Sequence, residues 1–296
     1  MMKNTLYSIL FILVVGNLLA QQTPANKQSH AYSIEGATAH IGNGQVIENS
    51  LLMFSNGKII FIGSAKNKIA RQGKVINAKD KHVYPGFIAA NSTLGLVEID
   101  AVKASDDQRE IGIMNPHIRS LIAYNTESKV IESMRPNGVL MAQISPRGGT
   151  LSGMSSIVQF DAWNWEDALI KADEGIHLNW PRYYNRSKKD KNQLLSHYQT
   201  KKKEIIEFFN RAIAYQKDSK PVTTNIRLKA MKGLFNGAQQ LYVHANYIKE
   251  ITDIIDFKKE FNISKLCIVG GYDSWMVAKR LKENNISIMY MFMLGK

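Results

Sequence analysis

The feature that most constrains the fold lies in the last third of the chain, where apolar runs alternate with amphipathic segments. Gln240 to His244 reads as a strand, Ile248 to Phe261 as a helix and Lys265 to Val269 as a second strand. Ser274 to Asn284 then reads as a helix, and Ile286 to Met289 starts a third strand. Successive strands begin about 20 to 25 residues apart, the length of a βαβ unit, so they are expected to lie parallel with helices packed over them. The first third is patterned differently. From residue 31 to 84 it consists of short β-branched and aromatic runs broken by Gly42-Asn43-Gly44 and by Asn56-Gly57, a pair that accepts the positive φ angles of a hairpin turn. Pro85-Gly86 marks the change of pattern, and the apolar run Phe87 to Ala90 that follows suits a buried strand. The expectation is α/β: a small N-terminal β-sandwich portion over residues 21–84, whose strands form a meander, then an incomplete TIM-like (β/α) barrel over residues 85–296.

Residues 1–20 carry a secretory pattern. Lys3 precedes an apolar stretch from Leu6 to Val15, and Leu18-Leu19-Ala20 leads into the polar stretch Gln21 to Gln28. The stretch is shorter than the roughly 20 apolar residues of a spanning helix. An exported protein, periplasmic or secreted and without stable membrane insertion after cleavage, is expected. Cys267 sits in an apolar run and reads as a buried small side chain; one cysteine builds neither an internal disulfide nor a cysteine-rich zinc site. The net charge of +13 is concentrated partly between Arg182 and Lys203. Charge runs usually form solvated faces, so no nucleic-acid partner is expected.

Several motifs taken together point to a family. Gly42-Asn43-Gly44, Asn56-Gly57-Lys58-Ile59 and Ile62-Gly63 precede Val83-Tyr84-Pro85-Gly86-Phe87-Ile88-Ala89-Ala90-Asn91-Ser92-Thr93. This order resembles the amidohydrolase superfamily, in particular its imidazolonepropionase-like members. There, a small β-sandwich leads through Pro-Gly-Phe-Ile into a barrel strand ending in His-x-His. The resemblance implies hydrolysis of a carbon–nitrogen (non-peptide) bond in a small-molecule substrate, assisted by a divalent metal such as zinc. It places the two metal-binding histidines at Asn91 and Thr93. Leu241-Tyr242-Val243-His244-Ala245 resembles the fifth barrel strand and makes His244 the matched metal ligand. Ile268-Val269-Gly270-Gly271 resembles the sixth strand, with Gly270 at a histidine position. Ser145-Pro146-Arg147-Gly148-Gly149-Thr150-Leu151-Ser152-Gly153 resembles a substrate-side loop, which assigns Arg147, Gly148, Gly149 and Ser152 to it.

Asn and Thr are poor zinc ligands beside imidazole, thiolate or carboxylate, so weak or absent metal binding is expected. Asp273 either adds a carboxylate nearby or caps the helix that follows it. The glycine-rich loop lacks the Lys-Ser/Thr ending of a nucleotide-binding P-loop, and the chain holds no Gly-x-Ser-x-Gly elbow. About 210 residues remain after the leader and the sandwich portion, against about 250 for a full barrel. That expectation of missing closing strands carries a second one, self-association through open sheet edges. Two functional classes follow: an impaired or inactive hydrolase, and a non-catalytic exported ligand-binding or scaffold protein on the same fold. Export has a direct check. Intact-mass measurement of protein from the periplasmic or secreted fraction should give a mature chain starting near Gln21, and a mass retaining residues 1–20 would contradict it.

Overall fold

The computed structural model describes residues 23–99, 101–183, 191–218 and 223–291. The leader region therefore lies outside the described residues, as does the part of the basic run between 184 and 190. The chain divides into two compact units between Phe87 and Ile88.

The first unit is a five-stranded sheet. β1 (Tyr32–His40), β2 (Val46–Ser55) and β3 (Lys58–Ser64) are antiparallel neighbours, and β4 (Lys74–Asn77) and β5 (His82–Val83) both pair with β1. Asn56 and Gly57 join β2 to β3 with φ of 50° and 70°, the left-handed pair that matches the twist of a tight hairpin. The expected meander is corrected in one respect: β4 and β5 run parallel to β1. The long connection after β3 carries the chain back to the far side of β1, which a hairpin turn could not do.

The second unit is built on a seven-stranded sheet in the order β12-β11-β10-β9-β8-β7-β6, a half-barrel. These are β6 (Phe87–Ser92), β7 (Val139–Ile144), β8 (Leu151–Gln159), β9 (Leu169–Asn179), β10 (Gln240–Ala245), β11 (Leu266–Gly270) and β12 (Ile286–Tyr290). β9 to β12 are parallel throughout, as the strand spacing implies. β8 instead runs antiparallel to both of its neighbours, β7 and β9, so this half of the sheet departs from the βα repeat. β8 also begins at Leu151, so Ser152 and Gly153 belong to a strand and not to the glycine-rich loop. The expectation of a buried strand at Phe87 to Ala90 is corrected as well. β6 is an edge strand, and Phe87 and Ile88 are 65% and 55% exposed. No helix among the described residues is long and apolar enough to cross a membrane.

Alternation along the parallel strands sends Leu241 and Val243, Ile176 and Leu178, and Leu266 and Ile268 to one face. Two helices cover that face. Lys191–Lys217 contributes Ile205, Phe208, Phe209 and Ala212, and Ile248–Glu260 contributes Ile251, Ile254, Ile255 and Phe257. Phe209 meets Phe257 edge-on with ring centres 4.9 Å apart. Tyr198 donates to Asp253 at 2.6 Å and accepts from the Trp180 indole at 3.0 Å, tying the two helices to the end of β9. Lys201 and Lys202 of the basic run are held by Glu204 and Asp253, which accounts for part of the run as structure. Phe209 is fully buried. Phe209→Ala should therefore lower unfolding stability by about 3–5 kcal/mol in urea titration, the usual result of emptying a large aromatic site.

Candidate functional site

The opposite face of the sheet carries polar side chains beside a small apolar cluster of Cys267, Val269 and Met289. Residues that alternate with the core side chains point there, among them Tyr242 and His244 from β10 and His177 from β9. Glu174 lies at its centre, buried, and its carboxylate accepts from Gln143 at 2.6 Å, Ser155 at 2.7 Å and Tyr242 at 3.0 Å. Burial, with the Glu174 charge second, pushes the Tyr242 hydroxyl well above its ordinary range, so it stays protonated and donates. Gln143 turns its oxygen the other way and accepts from the Asn91 N–H at 2.9 Å. Asn91 has a φ of 47° at the end of β6. Its side-chain oxygen and its carbonyl each accept from Arg147, both at 2.6 Å, and its amide donates to the Met291 sulfur. One hydrogen-bonded chain thus runs Arg147–Asn91–Gln143–Glu174–Tyr242.

His177 stacks on the Tyr242 ring at 4.8 Å, and its Nδ1 lies 2.9 Å from His244 Nε2. His177 is fully buried and its Nε2 has no partner. A proton on that nitrogen would be a buried, unsatisfied donor costing about 1–3 kcal/mol. The proton therefore sits on Nδ1 and is donated to His244, an assignment made from the hydrogen bonding. Burial is the first cause that depresses both imidazoles. His244 falls to about 4, with the Arg147 charge as second cause, and His177 lies well below its ordinary value, with His244 and Arg147 adding to burial. Both rings are neutral at neutral pH.

The structure brings together Asn91, Arg147 and His244, three residues singled out in the sequence. Gly148, Gly149 and Ser152 join them through Asn179 of β9. Its amide donates to the Gly149 carbonyl at 2.9 Å and to the Ser152 hydroxyl at 3.0 Å, while Ser152 donates to the Gly148 carbonyl. Thr93 lies just past the end of β6, half-buried. Gly270 ends β11 with a φ of 101°, and a Cβ there would stand 2.4 Å from the Asn246 side-chain oxygen. Asp273 accepts from the Ile248 N–H at 3.0 Å and makes no side-chain cap on its own following helix. The expected cap is thus corrected: Asp273 caps the preceding helix. Cys267 is buried, as expected.

Sequence reasoning missed β9 and with it Glu174, His177 and Asn179. The alternation Ile176-His177-Leu178-Asn179 was the available signal, masked by Lys171, Asp173 and Glu174 just before it. A cleft of about 450 Å³ opens at the C-terminal ends of the parallel strands, lined by Asn179, Arg182, His244, Asn246 and Met291 among others. Barrel enzymes carry their sites at that end.

A small β-sheet unit followed by a helix-covered half-barrel, with its polar residues gathered at the strand ends, is the amidohydrolase type of fold. A solved amidohydrolase from Thermotoga maritima MSB8 is similar to this chain with a TM-score of 0.75 at 20% identity. The match covers 90% of this chain and 71% of that one, a likeness of fold. A prolidase complexed with N-methylphosphonate-L-proline matches at a TM-score of 0.43 and 11% identity over 87% of this chain and 65% of that one. The N-acyl-D-glutamate deacylase of Bordetella bronchiseptica, complexed with zinc and a phosphonate inhibitor, matches at 0.36 and 10% over 89% and 58%. No protein-family model and no curated protein matches the chain.

The depressed histidines make a pH prediction. An unfolded imidazole titrates near 6.5 and the folded His244 near 4, so the unfolded chain binds the extra proton between those values. The contribution of His244 to stability is full above about pH 6.5 and is lost as pH falls towards 4. Urea midpoints measured from pH 7 to pH 4 should fall less steeply in His244→Gln than in the wild type. Parallel profiles would contradict the assignment.

Proposed function

We propose that this chain is an exported member of the amidohydrolase superfamily. On this reading it descends from hydrolases of carbon–nitrogen (non-peptide) bonds, its metal centre is degenerate, and its cleft now binds a small-molecule ligand without hydrolysing it. The observation that carries the reading is the contact between Arg147 and Asn91. Asn91 stands where the resemblance puts a zinc-binding histidine, and both of its oxygens are already engaged by a guanidinium. A divalent ion within about 4 Å of that cation would be repelled by about 8 kcal/mol at an effective dielectric constant of about 20.

The other donors fit a metal no better. Gly270 has no side chain to offer, and its φ and the nearby Asn246 oppose a larger residue. His244 Nε2 and His177 Nδ1 are spent on each other. Among the described residues no three His, Cys, Asp or Glu side chains converge as a metal site, whereas catalytic zinc normally keeps three protein ligands.

The open arc of the sheet agrees with an incomplete barrel. The exposed Phe87 and Ile88 on the edge strand β6 favour self-association of the isolated chain. The metal is the decisive measurement. After equilibration with zinc and gel filtration, elemental analysis should find well under one equivalent per chain, and no amide or cyclic-amide substrate should turn over with added zinc. Retention of a full equivalent would overturn the reading.

A further inference from the structure

We propose that the ligand of this cleft offers an uncharged acceptor, a carbonyl-type oxygen, to the Nδ1–H of His244, and that the buried His177 holds that proton in place; this rests on the ligand-binding reading above. His244 is one of the residues that line the cleft. Its Nε2 lies 2.9 Å from His177 Nδ1. The ring centres are 5.3 Å apart, the separation of two imidazoles joined end to end by one hydrogen bond. His177 is fully buried and its Nε2 has no partner, so its proton sits on Nδ1 and is donated. His244 Nε2 is therefore the acceptor of that bond. A neutral imidazole carries one proton, so that of His244 is on Nδ1. The His244 ring is neutral because burial, and then the Arg147 charge, depress it to about 4.

That N–H is open to the cleft. Among the described residues the buried side-chain polar atoms without a partner are His117 Nδ1, Tyr124 Oη, His177 Nε2 and Gln216 Nε2. His244 Nδ1 also has no partner among the described residues, yet it is not sealed from solvent, and the surface its ring forms is the cleft wall. The one carboxylate that lines the cleft, Glu250, is already used. Its oxygens accept from the N–H groups of Tyr183, Asn246 and Tyr247. Trp180, Ala245, Val269 and Met291 make part of the wall apolar. A ligand that covers a donor in such surroundings removes its water and must supply an acceptor in return. A cation supplies none, and Arg182 in the same lining repels it. His177 is thus a positioning residue: by occupying Nε2 of His244 it fixes which nitrogen faces the ligand with a proton.

The test is nuclear magnetic resonance on the full chain at neutral pH. Long-range 1H–15N correlations, assigned through each histidine's own backbone, show which ring nitrogen is protonated. Both His177 and His244 should carry the proton on Nδ1 and have a bare Nε2. Cyclohexanone has one acceptor oxygen and no donor. At about 50 mM, a concentration suited to the weak affinity of so small a ligand, it should shift the His244 Nδ1–H resonance. Cyclohexylammonium, the same ring with donors only, should leave that resonance in place. Cyclohexanone should also raise the melting temperature by about 1 °C or more, and His244→Phe should lose at least about half of that rise. A proton on His244 Nε2, an unmoved resonance with cyclohexanone, or equal shifts with the two compounds would overturn the proposal. Should His244→Phe fail to fold, the wild-type spectra decide alone. The zinc measurement is independent. A full equivalent of zinc in a chain that gives the expected spectra would sink the metal-free reading alone. A zinc-free chain with the proton on His244 Nε2 would sink this proposal alone.

Discussion

The contact between Arg147 and Asn91 organises the polar face of the sheet. Two 2.6 Å hydrogen bonds join the loop after β7 to the end of β6. Through the Asn91 N–H they continue into Gln143 and the buried Glu174. Without that relay a buried carboxylate and a half-buried guanidinium would face each other's strands with no defined route of compensation. With it, each side chain of the relay has a named partner, the condition under which a buried polar network is tolerated. Burial, with the Arg147 charge adding to it, holds down the proton affinity of His177 and His244.

Metal-assisted hydrolysis needs several anionic or neutral donors converging on one point and space for a dication. Here the Arg147 guanidinium engages both oxygens of Asn91, and the two imidazoles turn towards each other. The surrounding scaffold is unaffected, because its stability comes from the other face. Phe209, Phe257, Ile254 and their neighbours pack against Leu241, Val243 and Ile268, away from the polar network.

Much of the architecture was legible in the sequence. The parallel order of β10, β11 and β12 followed from strand and helix lengths, because apolar runs of five residues joined by an amphipathic helix have few ways to bury both. The Asn56-Gly57 hairpin followed from backbone sterics alone. The polar residues of the site were named in part, since Asn91, Arg147 and His244 lie in motifs whose order is local. The exposure of Phe87 and Ile88 was not legible: a run of apolar residues looks the same on an edge strand as in a core, and only the position of β6 in the sheet distinguishes them.

By itself, then, the sequence determined many of the elements and their periodicity, though not β9, because those depend on residues within a turn or two of each other. The tertiary structure alone decided which side chains meet. Asn91 and Arg147 are 56 residues apart and His177 and His244 are 67 apart. Such pairs come together only when the sheet order is set, and β9 had to be placed between β8 and β10 before His177 could face His244 at all. Asp273 shows the same limit on a smaller scale. Its neighbours in sequence suggest a cap for the helix ahead, whereas the fold delivers its carboxylate to the N–H of Ile248, 25 residues back.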